Sequence, residues 1–444
     1  MTGLPTLREA TKVWFKIGCL SFGGPAGQIA LMHREIVDDR NWVSDRRFLH
    51  ALNFCTLLPG PEAMQLATYL GWLMHGPAGG MIAGALFVIP GALVMLGLSL
   101  IYALLGSVPL VGAIFYGLKA AVLVLVVEAL LRIGRRALKG AIAWGLAAAA
   151  FIAIFLFAVP FPIVVLAAGL IGFIAPGHFA GAGHGRAKDG PPALLDAVMA
   201  ADPGRADRLA AGARWAGYIA LGLWLVPLAA VMAVGGTFAD IGWFFSKMAV
   251  VTFGGAYAVL AYVAQDAVTG YHWLSAAEML SGLGLAETTP GPLILVLQFV
   301  GFLAGFRAPG TLTGVAGGVA ASVLTLWVTF MPCFAFVFIG APWIERLQNN
   351  RALSGALAAV TACVVGVIAN LAVWFGLHVL FRSTVAVHGL GMSFEAPVLA
   401  SVDPWALGLA CVAAVALFQL KLGVVRTLAV CSGLSILLYL ALGV

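Results

Sequence analysis

Charge is the first thing this chain lacks. Only 9% of its 444 residues are Asp, Glu, Lys or Arg, and 62% are hydrophobic, where a soluble domain carries roughly 25% charged residues. That balance excludes a soluble globular protein. Cysteine pairing is lacking too. Cys19, Cys55, Cys333, Cys363, Cys411 and Cys431 all fall in apolar segments and none forms a CxxC pair, so they read as small buried hydrophobes. No HExxH or paired-histidine helix occurs. The one acidic group, Asp38-Asp39 with Asp45, is interleaved with arginines in a short loop. A membrane-embedded enzyme built on an acidic metal cluster is therefore disfavoured, and neither cofactor nor metal is expected. Met1–Lys12 is charged and lacks the apolar core and small-residue site of a cleavable signal. The net charge of +6 follows topology and does not point to nucleic acid.

What the chain has is long apolar runs. They recur at 80–105, 110–131, 140–159, 215–235, 311–331, 355–380 and 424–443, each long enough to cross a bilayer core. The longest polar stretch, 177–214, is rich in glycine and charge. The expected fold is an all-α polytopic membrane protein: an N-terminal transporter repeat over 1–176, a cytoplasmic linker over 177–214, and a C-terminal repeat over 215–444 in inverted orientation.

The division into halves rests on a repeat. Residues 16–61 and 247–292 overlay without a gap at an offset of 231. Lys16 falls on Lys247, Phe22-Gly23-Gly24 on Phe253-Gly254-Gly255, and Trp42 and Ser44 on Trp273 and Ser275. Leu49 and Leu52 fall on Leu280 and Leu283, and Pro59-Gly60-Pro61 on Pro290-Gly291-Pro292. Two halves built around helix breaks at membrane depth are a signature of secondary transporters.

The basic residues orient the halves. Loop 31–47 carries Arg34, Arg40, Arg46 and Arg47, loop 132–140 carries Arg132, Arg135, Arg136 and Lys139, and the linker carries Arg186, Lys188, Arg205, Arg208 and Arg214. By the positive-inside rule all three are cytoplasmic. Segment 265–273, the copy of the first loop, has no Lys or Arg and should face outward, as should 382–403. Three apolar segments lie between loops 31–47 and 132–140, yet an even number must cross. Segment 48–75, broken by Leu58-Pro59-Gly60-Pro61, reads as a re-entrant hairpin, and 278–305 as its counterpart from the outside. Proline breaks a helix, and such a break at membrane depth survives only in protein or against a wet cavity. If 8–30 and 244–264, broken at Phe-Gly-Gly, are also re-entrant, nine full crossings remain. Trp72, Trp144, Trp215, Trp243, Trp273 and Trp343 read as interfacial anchors.

A helix that restarts after Gly-Gly-Pro or Pro-Gly-Pro offers unpaired N–H groups and a partial positive charge, which together suit an anion. Pro25 and Pro61 stand where helices would resume, a favoured place for proline. Lys16 and Lys247 each lie six residues before the phenylalanine of the motif, within apolar sequence, where an ionisable residue points to function; the alternative is a lysine snorkelling to an interface. The expected substrate site therefore comprises Lys16, Phe22, Gly23, Gly24, Pro25, Gln28, Asn53, Pro59, Gly60 and Pro61 from the first half. Lys247, Phe253, Gly254, Gly255, Glu287, Thr288, Thr289, Pro290, Gly291 and Pro292 come from the second. Glu62 and Glu287 are candidates to take up a proton when a dianion binds nearby, and the nearest counter-ions for the lysines. Glu62 could equally complement a helix end, and Thr288 and Thr289 could bond back to their own helix.

These residues resemble the bacterial chromate ion transporter (CHR) family. The likeness runs through Phe22-Gly-Gly-Pro-Ala-Gly-Gln-Ile-Ala, Met32-His-Arg-Glu, Trp42, Phe48-Leu-His-Ala-Leu-Asn, Leu58-Pro-Gly-Pro-Glu-Ala and Gln65-Leu-Ala. In the second half it runs through Phe253-Gly-Gly-Ala-Tyr, Trp273-Leu and Gly282-Leu-Gly-Leu-Ala-Glu-Thr-Thr-Pro-Gly-Pro-Leu. It is weakest in the linker and after about 385. The resemblance implies the two-domain form, efflux of chromate from the cytoplasm driven by membrane potential or a proton gradient, and sulfate as a structural analogue. Import of sulfate-like anions or a passive channel stays open, as does pairing as a homodimer. The second half departs from the pattern with Ala256 in place of Pro25 and lacks the His-Arg-Glu run.

Overall fold

The computed structural model describes residues 3–106, 108–179, 193–202, 204–253, 256–309, 312–341, 350–389 and 391–442. The first half gives α1 (Leu7–Leu20), α2 (Gly24–His33), α3 (Asp45–Cys55), α4 (Glu62–Leu105), α5 (Pro109–Ala137), α6 (Ala141–Phe155) and α7 (Phe161–Ile174). The linker contributes α8 (Leu194–Ala201). The rest gives α9 (Arg205–Val234), α10 (Gly236–Val251), α11 (Ala256–Gln265), α12 (Ala276–Thr288), α13 (Val296–Arg307), α14 (Gly314–Gly340), α15 (Arg351–Leu380), α16 (Pro404–Ala414) and α17 (Val424–Leu442). Six described helices, α4, α5, most of α9, α14, α15 and α17, are long and apolar enough to cross a membrane. This is a multi-pass membrane protein.

The sequence repeat is also a repeat of local structure. Helices α1 and α10 both stop just before Phe-Gly-Gly, and α3 and α12 both lead into Pro-Gly-Pro. Ser44 and Ser275, matched in sequence, cap α3 and α12: Ser44 Oγ accepts from the Arg47 N–H and Ser275 Oγ from the Glu278 N–H. Asn41 and His272 are matched too, and both hold a left-handed backbone at φ +50° and +54°. The next residues, Trp42 and Trp273, donate their N–H to Ile36 and Ala267, 2.9 Å each and again 231 apart. Short π-helical turns at Arg34–Asp38 and Asp266–Gly270 precede these bends.

Each compact unit of packing draws on both halves of the chain. The first comprises Met1–Leu96, Gly183–Ala256 and Thr289–Arg351; the second comprises Gly97–Ala182, Tyr257–Thr288 and Ala352–Val444. In the first, the chain turns back inside α4, where His75 and Gly76 leave helical geometry and Gly76 has φ +68°. The two arms then touch through small residues. A Cβ on Gly71 would strike the Gly79 carbonyl, and one on Gly84 would strike the Thr68 hydroxyl. Helices α13 and α14 repeat this hairpin, with Gly305 against Ala321 and Gly317. Such contacts let backbones approach where lipid supplies no hydrophobic drive. In the second unit α5 packs on α12, α16 and α17, with Gly117 against the Cys431 carbonyl, and α15 meets α6 and α7 at Gly366 and Gly355.

Two sequence expectations are corrected here. Segment 382–403 is not a plain loop. Thr384–Gly389 (β1) pairs antiparallel with Met392–Pro397 (β2), from Thr384 opposite Pro397 to Gly389 opposite Met392. Of the expected tryptophan anchors, Trp144, Trp215 and Trp243 are exposed, but Trp72 and Trp273 are buried, Trp72 donating to the Leu209 carbonyl. Trp343 lies outside the described residues.

Candidate functional site

The motif glycines bend the chain as their sequence requires. Gly23 and Gly24 have φ +84° and +72°, Gly60 +118° and Gly291 +89°, a region that side chains rarely adopt. The bends are fixed by two crossed backbone bonds. The Gly60 N–H donates to the Thr252 carbonyl at 2.9 Å, and the Gly291 N–H donates to the Ser21 carbonyl at 2.8 Å. Gly60 matches Gly291 and Ser21 matches Thr252, so each half's Pro-Gly-Pro is tied to the residue before the other half's Phe-Gly-Gly. The hydroxyls behave alike as well, Ser21 donating to the Ile17 carbonyl and Thr252 to that of Met248. The matched hydroxyl residues 21 and 252 were a sequence signal that motif reading passed over.

Around these bonds lies a small cavity within the first unit. Its walls are Pro25 and Gln28 of α2, Pro61, Glu62 and Ala63 at the start of α4, Ala256 at the start of α11, and Pro292, Leu293 and Ile294 before α13. Four restarted helix ends thus share one cavity. Helix α2 has no side-chain cap at Gly23, nor does the turn after Pro292, so their first N–H groups stay available. The cavity measures about 20 Å³, room for a single water. Gln28 reaches across it and its Nε2 donates to the Gly291 carbonyl at 2.6 Å. Glu62 makes no hydrogen bond or ion pair among the described residues, and it is half-buried.

The expected lysines stand elsewhere. Lys16 is half exposed and its Nζ lies 2.6 Å from Glu35 Oε1. Glu35 is only 4% exposed and also takes Arg40, 2.7 Å from its other oxygen. The partner of Lys16 is therefore Glu35 and not Glu62. Burial pushes the Glu35 carboxyl up, but the Lys16 hydrogen bond and the Arg40 charge outweigh it and hold it below its ordinary value. Lys247 Nζ sits 5.7 Å from the centroid of the Phe244 ring, a cation–π distance. The cavity wall holds neither lysine; the physical reason for Lys16 is that a buried carboxylate at the loop attracts an ammonium more strongly than a cavity of neutral dipoles does.

Phe22 is exposed and off the wall, and Asn53 lines a different cleft, with Arg46, Arg47 and His50. Gly254 and Gly255 lie outside the described residues. Thr289 is buried beside Pro290. Glu287 and Thr288 belong to the second unit. There Tyr257 donates its hydroxyl to Glu287 at 2.6 Å, and Thr288 donates to its own helix at the Leu285 carbonyl. No group of three or more metal-ligating side chains occurs among the described residues.

A membrane protein whose interrupted apolar segments restart around one buried cavity has the build of a transporter. Comparison with known proteins gives the family. The model described as "Chromate transporter" matches residues 8–173 and 239–438, and the chain belongs to that family. It is 34% identical over 398 residues to the chromate transport protein of Pseudomonas aeruginosa, covering 88% of this chain and 86% of that one. It is 27% identical over 405 residues to the probable chromate transport protein of Synechococcus elongatus, covering 91% of each. It is 26% identical over 365 residues to the chromate transport protein of Cupriavidus metallidurans, covering 82% and 81%. No solved structure matches the chain.

Proposed function

We propose that this protein exports chromate, or a closely related tetrahedral oxyanion, from the cytoplasm across a bacterial inner membrane by a gradient-driven mechanism, and so confers chromate resistance. The observation that supports this most is the meeting of Pro25, Pro61, Ala256 and Pro292, each at the start of a restarted helix, around one cavity. Each helix start carries roughly half a positive charge and free N–H donors. Together they offset part of the cost of stripping water from a dianion without the grip of a bidentate arginine. Chromate is larger than the water-sized cavity, so it enters only when the restarted ends separate. The crossed Gly60–Thr252 and Gly291–Ser21 bonds then mark the closed form. Glu62, at the first position of α4, repels an incoming dianion unless it takes up a proton, which couples anion and proton. Direction rests on the family resemblance. The gradient as energy source rests on the same resemblance.

Inverted membrane vesicles loaded with this protein test the proposal. Labelled chromate should accumulate inside them under an imposed gradient, sulfate should compete, and an uncoupler should abolish accumulation. Glu62→Gln should leave transport that no longer responds to the proton gradient. No chromate accumulation under any gradient, or preferred sulfate entry in right-side-out vesicles, would reject the export reading in favour of a sulfate-like importer.

A further inference from the structure

A cleft carrying two arginines lies in the first unit, lined by none of the residues that line the cavity. Arg46, His50 and Asn53 stand at i, i+4 and i+7 on α3 and so form one stripe. Over those residues a helix rises about 10 Å, and four residues beyond Cys55, where α3 ends, comes the Pro59 break. The stripe, with Ser44, Arg47, Leu49 and Asp196, lines a cleft of about 530 Å³. Two arginines against one carboxylate leave the cleft with an excess of positive charge, and a concave surface focuses such a field on small counter-ions.

The arginines of this region differ in their engagement. Arg40 is held by Glu35 and Arg47 by Asp196, whose Oδ1 is 2.8 Å from Nε. Arg46 has no acidic partner among the described residues and is exposed. A solvated topology marker would explain Arg46 alone. It does not explain why a linker helix is fastened across the cleft. Helix α8 is held by two main-chain bonds, Leu194 N–H to the Asn41 carbonyl and Leu195 N–H to the Trp42 carbonyl, with Leu195 buried. This sets Asp196 against Arg47. Burial would raise the Asp196 carboxyl, but hydrogen bonds from Ser44 and Arg47 outweigh it and keep it ionised.

We propose that the cleft of Arg46, Arg47, His50 and Asn53 is an entry site that collects the free tetrahedral dianion before it reaches the cavity, and that Asp196 is a built-in competitor for Arg47. The identity of the dianion rests on the transport reading above; the site itself does not. A dianion arriving at Arg46 displaces Asp196 from Arg47, and the linker helix loses its side-chain tie while keeping its backbone bonds.

The test uses purified full-length protein and the arginine reagent phenylglyoxal, with modification of Arg46 and, as reference, of Arg135 followed by peptide mass spectrometry. Sulfate should slow modification of Arg46 several-fold relative to chloride at equal ionic strength and leave Arg135 unaffected. In Asp196→Asn the same protection should appear at several-fold lower sulfate. In vesicles, Arg46→Gln should raise the chromate KM by a larger factor than it lowers the maximal rate, and Asp196→Asn should lower the KM. Equal effects of sulfate and chloride on Arg46 overturn the proposal. So does protection by phosphatidylglycerol vesicles without protection by sulfate, which would make the cleft a lipid-headgroup contact. Sulfate protection in a protein that transports no oxyanion would uphold the cleft as a dianion site and reject the transport reading, its entry role included.

Discussion

Lys16 shows what a single residue gains from its neighbours. Its register against Lys247 is visible in the sequence, because both stand at one position of a repeat. Its partner is not visible, because Glu35 comes 19 residues later and meets it only when α1 and the π-helical turn pack. The matching acid in the second half, Asp266, lies at the same offset of 231, and that coincidence was the available signal. Lys16→Met leaves a buried Glu35 with Arg40 alone. The expected loss of stability is on the order of 1 kcal/mol, because water screens a half-exposed ammonium. If the pair is what Lys16 is for, Lys16→Met should transport poorly and the double variant with Glu35→Gln should recover much of the rate. A double variant no better than Lys16→Met would assign the ammonium to the substrate instead. The Glu35 carboxyl sits below its ordinary 4.5, so its stabilising contribution is complete above that value. It is lost only as the pH falls through the lower folded value, and amide protection factors across 34–40, which are corrected for the intrinsic pH dependence of exchange, should therefore be flat from neutral pH down to about 5.

At the scale of elements, the breaks were the most legible part of the chain. Glycine and proline act on their own backbone, so Gly23, Gly60 and Gly291 announce their bends without tertiary knowledge. What the breaks touch was not legible, since the crossed bonds join residues 192 and 270 positions apart, 60 to 252 and 21 to 291. The β1–β2 hairpin was missed because its twelve residues of strand compete with a reading tuned to apolar runs. Two glycine variants separate the bend from its surroundings. A side chain at Gly60 meets both a forbidden φ and atoms of Gln65 and Cys333 within 2.9 Å, so Gly60→Val should abolish transport while leaving protein in the membrane. Gly91 is off the cavity wall, yet its Cβ would strike the Pro290 carbonyl. Gly91→Ala should strain the closed form by about 1.4 kcal/mol, shift the closed-to-open ratio about tenfold toward open, and so alter the transport rate. Wild-type rates in Gly91→Ala would show that the Pro290 bend tolerates displacement.

For the molecule as a whole, the two halves repeat in local structure, and from the distribution of basic residues we propose that they run in opposite orientations. Asp39 and Thr269 are both exposed, which makes them usable reporters once Cys19 and Cys411 are replaced. An impermeant thiol reagent should label a cysteine at 39 only from the cytoplasmic face and one at 269 only from outside. Labelling of both from one face would end the inverted-repeat proposal. Composition carried the multi-pass all-α class at this level, since the bilayer acts on averages over whole segments and not on individual contacts.

The crossed bonds also set a clock. Gly60 leaves the ribosome long before Thr252, and Ser21 long before Gly291. At roughly 5–20 residues per second, the 192-residue lag between Gly60 and Thr252 amounts to some 10–40 seconds of synthesis. Throughout that time the first Pro-Gly-Pro sits in the bilayer with its Gly60 N–H uncapped, and an uncapped polar group in lipid is costly. A newborn first half thus waits for the second to supply the acceptor of its Gly60 N–H. The cavity can close only once Ile294, the last of its wall residues, has been made.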